Sequence, residues 1–151
     1  MIEERSAAWM RNEHKINCGL MASLLRDVCS MPAYGREEWL DHLRQTVARF
    51  RAHMKNRISA EEAEEGFLSP VVDARPTLWP QIEQLRHEHK QFVTCLDQIH
   101  EQAVAVQPED KLLIEDLCNR VEQLVKAIQR HQEHEELLVT FVVSQDIGTT
   151  D

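Results

Sequence analysis

Apolar residues recur along most of this chain at alternating steps of three and four, the spacing that lines one face of an α-helix. The cleanest run reads Leu78, Ile82, Leu85, His89, Phe92, Leu96, Ile99 and Ala103. A later one reads Ile114, Leu117, Val121, Leu124, Ile128, His131, Glu135, Leu138 and Val142. Before them come Met10, His14, Cys18, Met21, Leu25 and Val28, and then Leu40, Leu43, Val47 and Phe50. That second run continues through either His53 or Met54 to Arg57, Glu61 and Leu68, with Glu64 and Glu65 close to its line. No segment alternates with period two, and no internal repeat is evident. Three interruptions, "CSMPAYG" at 29–35, "SPVVDARP" at 69–76 and "VQPED" at 106–110, combine Pro with small or polar neighbours, the chemistry of a connection. The pattern predicts a single all-α domain over residues 1–151, an antiparallel up-down-up-down four-helix bundle.

Every stripe is broken by ionisable residues. His14 lies near the start of the first helix, Glu61 near the end of the second, His89 in the first half of the third, and His131 with Glu135 near the end of the fourth. If chain direction alternates, these positions share one end of the bundle, to within a turn or two at about 1.5 Å of rise per residue. A polar layer inside an apolar bundle is the expectation.

Composition supports helix, with only 4 Gly and 5 Pro in 151 residues. A net charge of −9 argues against nucleic acid, whose phosphates call for clustered Lys and Arg, and against an acidic membrane leaflet. The amino terminus lacks the pattern of a signal peptide, and the longest apolar run, "LLVTFVV", is too short to span a bilayer. Cys18, Cys29, Cys95 and Cys118 contain no CxxC pair and read as small buried hydrophobes of a reducing cytoplasm.

Imidazoles and carboxylates converging in a dry interior suit iron, manganese or zinc. His131 and Glu135 are one helical turn apart and can face one centre. A buried Glu without a cation costs roughly several kcal/mol by desolvation, which a divalent ion removes. Each residue also has a plain alternative: a lone buried His is commonly a hydrogen-bonded core residue, and Glu61, Glu62, Glu64 and Glu65 read equally as a solvated acidic run. His134, Glu133 and Glu136 fall on the surface or just outside the layer. The Glu-x-x-His pairs of ferritin-like di-iron bundles are absent, and HExxH is missing because Val104 stands where the second His belongs.

At "NEH", "EEAEEGFL", "LRHEH" and "HQEHEELL", followed by the tail "SQDIGTTD", the chain resembles the hemerythrin-like, or HHE cation-binding, family. The likeness covers most of the chain. It implies a metal set of His14, Glu61, His89, His131 and Glu135, with His53 as a further imidazole, holding non-haem iron. A di-iron pair is implied when the site is occupied, with a mononuclear or empty site as the alternatives. The implied ligand is dioxygen or a similar small molecule, in binding, sensing or iron handling rather than turnover, since no dedicated proton donor or substrate pocket can be read. Hemerythrins use two irons, five histidines and two bridging carboxylates, and this chain departs from that set. Arg57 stands four residues before Glu61, where the family carries His, and Leu85 and Val93 flank His89 where a paired His would be. Turned inward, Arg57 would bind Glu61 or Glu135 and replace the ion, giving a metal-free regulatory or interaction module. Turned outward, it would leave the site open.

Overall fold

The structure, a computed structural model, describes residues 4–63 and 68–149; Glu64 and Glu65, and the side chains of the tail beyond Ser144, lie outside it. The described residues form helices alone: α1 (Glu4–Cys29), α2 (Arg36–Glu62), α3 (Leu68–Ala74), a 3-10 turn (Pro76–Leu78), α4 (Trp79–Ala105) and α5 (Lys111–Thr149). Four are long and pack in a ring, α1 against α2 and α5, and α4 against the same two, so α2 faces α5 across the centre. No described helix is long and apolar enough to cross a membrane.

Helix ends follow local chemistry. Gly35, with φ +64°, occupies the left-handed conformation that precedes α2, a conformation that is inexpensive for glycine alone. Glu37 and Glu38 then place negative charge in the first turn of α2, where the helix dipole favours it. Pro80 lies in the first turn of α4, where its missing N–H leaves no bond unmade.

The stretch at 69–76, expected as a connection, is largely helical. Leu68 and Val71 are fully buried one turn apart, and Pro70 falls in the first turn of α3, so burying the apolar pair outweighs the turn chemistry of the segment. Leu68 therefore belongs to α3 and not to the second stripe, which ends with α2 at Glu62. On α1 the buried line runs Met10, His14, Asn17, Met21, Leu24 and Val28. Cys18 and Leu25 lie one position off it, a rotation of about 100° that a step of four in place of three introduces. The expectation that all four cysteines are buried is corrected here: Cys18 and Cys29 are exposed and Cys95 is half-buried, with Cys118 alone in the core.

The apolar interior has two parts. The larger fills the centre between the four long helices, from Val28, Leu40 and Ile114 at one end to Met54, Phe92 and Ile128. The smaller joins Met10, Leu85 and Leu138 with Leu68 and Val71 of α3. His14, His89, His131 and Glu135 fall between the residues of these two clusters on their respective helices, and Glu61 follows Ile58, the last residue that α2 gives to the larger cluster. α3 thus helps close the bundle beyond the polar layer.

Candidate metal centre

Each ionisable side chain is inserted by its helix where an apolar residue would continue the stripe. His89 stands between Leu85 and Phe92 on α4, and His131 with Glu135 between Ile128 and Leu138 on α5. Glu61 and Glu135 are fully buried, and His14, His89 and His131 nearly so. Glu61, His89, His131 and Glu135 each offer one ligand atom within 4.8 Å of the others, a buried group able to hold a metal ion.

The short distances are specific. His89 Nε2 lies 3.0 Å from His131 Nε2 and 3.0 Å from Glu61 Oε2. His131 Nε2 lies 3.1 Å from Glu135 Oε1. Two donors at right angles on one ion, each about 2.1 Å from it, are about 3.0 Å apart. The spacing matches adjacent corners of a coordination shell.

The other nitrogen of each imidazole faces a carboxylate on the rim. His131 Nδ1 lies 2.8 Å from Glu88 Oε1, His89 Nδ1 3.3 Å from Glu62 Oε1, and His14 Nδ1 2.9 Å from Glu136 Oε1. For His131 and His14, whose Nδ1 atoms are hydrogen-bonded to a carboxylate, a proton held at Nδ1 leaves the Nε2 lone pair facing inward, the arrangement that supports metal-ligating histidine. The two Nε2 atoms of His89 and His131, 3.0 Å apart, share a proton in a hydrogen bond or an ion in its place. Buried polar atoms in the layer also remain without hydrogen-bond partners, among them His14 Nε2, Glu61 Oε2, Glu135 Oε2 and His89 Nδ1, whose distance to Glu62 does not make a hydrogen bond. Unpartnered buried acceptors of this kind are costly in a protein interior and call for a cation or a proton. The donor set fits a divalent ion of the iron, manganese or zinc kind.

Arg57 is turned inward and buried. Its Nε donates to Glu61 Oε1 (2.9 Å), its Nη2 to Glu135 Oε1 (2.9 Å) and its Nη1 to Gln132 Oε1 (2.7 Å). Gln132 Oε1 also accepts from Asn17 Nδ2, and Gln132 Nε2 donates to Cys18 Sγ at 3.7 Å. The guanidinium thus spans from α2 to α5 across the bundle, and its fork is held on three oxygens.

Electrostatics follow from this crowding. Burial, and then the charge of Glu135, raise the Glu61 carboxyl above its ordinary range, partly opposed by His89 and Arg57. Burial pushes Glu135 upward too, but the His131 and His14 rings beside it and the charge of His131 and Arg57 carry it well below the ordinary value. For His131, burial disfavours the proton, yet Glu135, Glu88 and Glu61 together raise its pKa.

The six sequence candidates therefore divide. Glu61, His89, His131 and Glu135 form the group. His14 adjoins it, with Nε2 3.5 Å from Glu135 Oε1. His53 stands outside it: Met54 takes the buried position, and the half-buried His53 faces Glu13, Nε2 to Oε2 3.7 Å, two turns and about 12 Å along the axis from Glu61. Burial lowers the pKa of His53. Asn17, Gln132 and the rim partners Glu62 and Glu88 were not singled out from the sequence as parts of this network. For Asn17 the usable signal was its place three residues after His14, on the same helix face.

No family model, no curated protein and no solved structure matches the chain.

Two grooves reach the layer from outside. One, between α1 and α5, is lined by His14, Cys18, Gln129, Gln132, Glu133 and Glu136. The other lies between α1 and α2 and includes Trp9, Ile16, His53 and Arg57.

Proposed function

We propose that this is a hemerythrin-like protein that binds non-haem iron at the Glu61, His89, His131 and Glu135 cluster and uses it to bind or sense dioxygen or a related small molecule, or to handle iron. One observation carries the reading: donor atoms about one coordination edge apart, with His131 buttressed at Nδ1 by the rim carboxylate of Glu88. The proposal includes an up-down-up-down topology. Its support is the pairing of rising with falling residue numbers: Glu13 with His53 and Asp27 with His42, Arg51 with Asp97 and Glu61 with His89, Glu88 with His131 and Gln102 with Asp116, His14 with Glu136 and Asn17 with Gln132.

Iron held there supplies a coordination position at which a small ligand exchanges. The chain's own residues bind and orient that ion through Nε2 and carboxylate oxygens. The two apolar clusters keep bulk water from the layer, and the grooves beside His14 and Arg57 leave room for a small molecule to approach. Protein from iron-supplemented cells, assayed for metal, should carry a substantial fraction of an equivalent and develop a near-UV charge-transfer band with ferrous iron in air. Less than about a tenth of an equivalent, with no band, refutes the reading.

A second reading draws on Arg57, whose contacts with both buried carboxylates supply a cation of the chain's own. In it the bundle is a metal-free regulatory or interaction module, and a proton on His131 completes the charge balance. Absent metal uptake at neutral pH, in protein that stays folded in chelator, is the result that selects it.

A further inference from the structure

Resting on the metal-centre reading, we infer that the site takes one divalent ion only, because the Arg57 guanidinium permanently occupies the place of a second cation.

Glu61 turns its two oxygens to different partners. Oε1 accepts from Arg57 at 2.9 Å, while Oε2 lies 3.0 Å from His89 Nε2 and has no hydrogen-bond partner of good geometry. Glu135 Oε1 is shared between Arg57 Nη2 at 2.9 Å and His131 Nε2 at 3.1 Å, and its Oε2 is buried without a partner. The carboxylates therefore stand between a fixed cation on one side and a pair of imidazoles on the other. The imidazole side holds a complete donor set for one ion. His14 Nε2 is also buried and without a hydrogen-bond partner, 3.5 Å from the shared Glu135 Oε1. Those donors would serve a second ion, but the arginine fork lies against the oxygens that ion would need.

Charge supports the same count. Glu61 and Glu135 bring two negative charges and Arg57 one positive. One divalent ion takes the sum of these buried charges to plus one, before the more exposed rim carboxylates Glu62, Glu88 and Glu136 are counted. A second would take it to plus three within a few ångströms, a repulsion that a dry interior does little to screen. Arg57 cannot readily withdraw, because Gln132 Oε1 accepts its third bond and is held in turn by Asn17.

The test is the stoichiometry and magnetic coupling of Mn²⁺ in the full chain, stripped by chelator and titrated under argon. Wild type should bind one equivalent by elemental analysis and give the six-line resonance of an isolated ion. Arg57→Ala should bind two equivalents with the broadened spectrum of a coupled pair, and Arg57→Lys, which retains a charge, should remain at one. Two equivalents or a coupled spectrum in wild type overturns the inference. So does a folded Arg57→Ala protein that stays at one. Should Arg57→Ala not fold, the wild-type count and spectrum still decide. No bound manganese and no bound iron in wild type is a different failure: it removes the metal centre itself, and the inference with it.

Discussion

Arg57→Met in the metal-free protein is the most direct probe of the electrostatics of the layer. Methionine keeps the aliphatic stem and removes the guanidinium, so the change isolates charge from packing. Three bonds from a charged donor are lost, at 2.9, 2.7 and 2.9 Å, and two fully buried carboxylates are left without their fixed cation. Bonds to charged groups contribute about 1.5–3 kcal/mol each, which would sum to more than the protein loses, because a stranded carboxylate takes a proton instead of staying ionised. Glu61 is already inclined that way, its pKa raised by burial and by Glu135. Removing one partner of a buried ion pair costs about 3–5 kcal/mol, and for a chain of this size each kcal/mol shifts Tm by about 2–4 °C. The expected fall is therefore about 6–20 °C, read by circular dichroism in chelator at neutral pH. Glu61→Gln in the Arg57→Met background should recover part of it, since one of the two stranded charges is gone. A fall of less than about 3 °C, or no recovery in the double variant, would refute the claim that the guanidinium balances these carboxylates.

pH should act on the metal-free protein through His131. Its raised pKa makes a contribution that is fully present below the ordinary value of 6.5 and is lost as pH rises through the folded value. Glu61, also raised, adds a loss as pH climbs from 4.5, whereas Glu135, depressed, contributes above 4.5 and loses its contribution as pH falls through its folded value. Urea melts in chelator should show stability declining on the alkaline side of 6.5, His131→Asn should flatten that limb, and saturating metal should reverse its slope, because binding needs the unprotonated ring. Glu88→Ala removes the carboxylate 2.8 Å from His131 Nδ1 and should weaken metal affinity about 10–100-fold by calorimetric titration, with the stoichiometry unchanged. His53→Ala should leave affinity and stoichiometry at their wild-type values, since His53 faces Glu13 outside the cluster; a loss of bound metal would place it among the ligands.

The strongest sequence signal was a polar residue interrupting an otherwise apolar helical stripe. His89 is legible because seven apolar neighbours define its face, and it is buried as that face requires. His53 shows the limit: it and Met54 are adjacent, each within reach of a period of 3.6, and the choice was made by packing of the methionine against the main core. α3 was illegible for a similar reason. Pro70 and Pro76 announce a connection, and only the tertiary burial of Leu68 and Val71 makes a helix of the residues around Pro70. The rim carboxylates carry no periodic signature at all, because Glu62, Glu88 and Glu136 differ from other surface acids only by which imidazole crosses their path.

The polar layer divides the interior into a larger and a smaller apolar cluster. The larger apolar cluster can hold the helices together without any chemistry, as a handle. The smaller one, with α3, is tied to it through bonds that pass Arg57, Glu61, His131 and Glu135. An ion held by those groups would add bonds at the boundary between the two clusters and so oppose local opening of the smaller one.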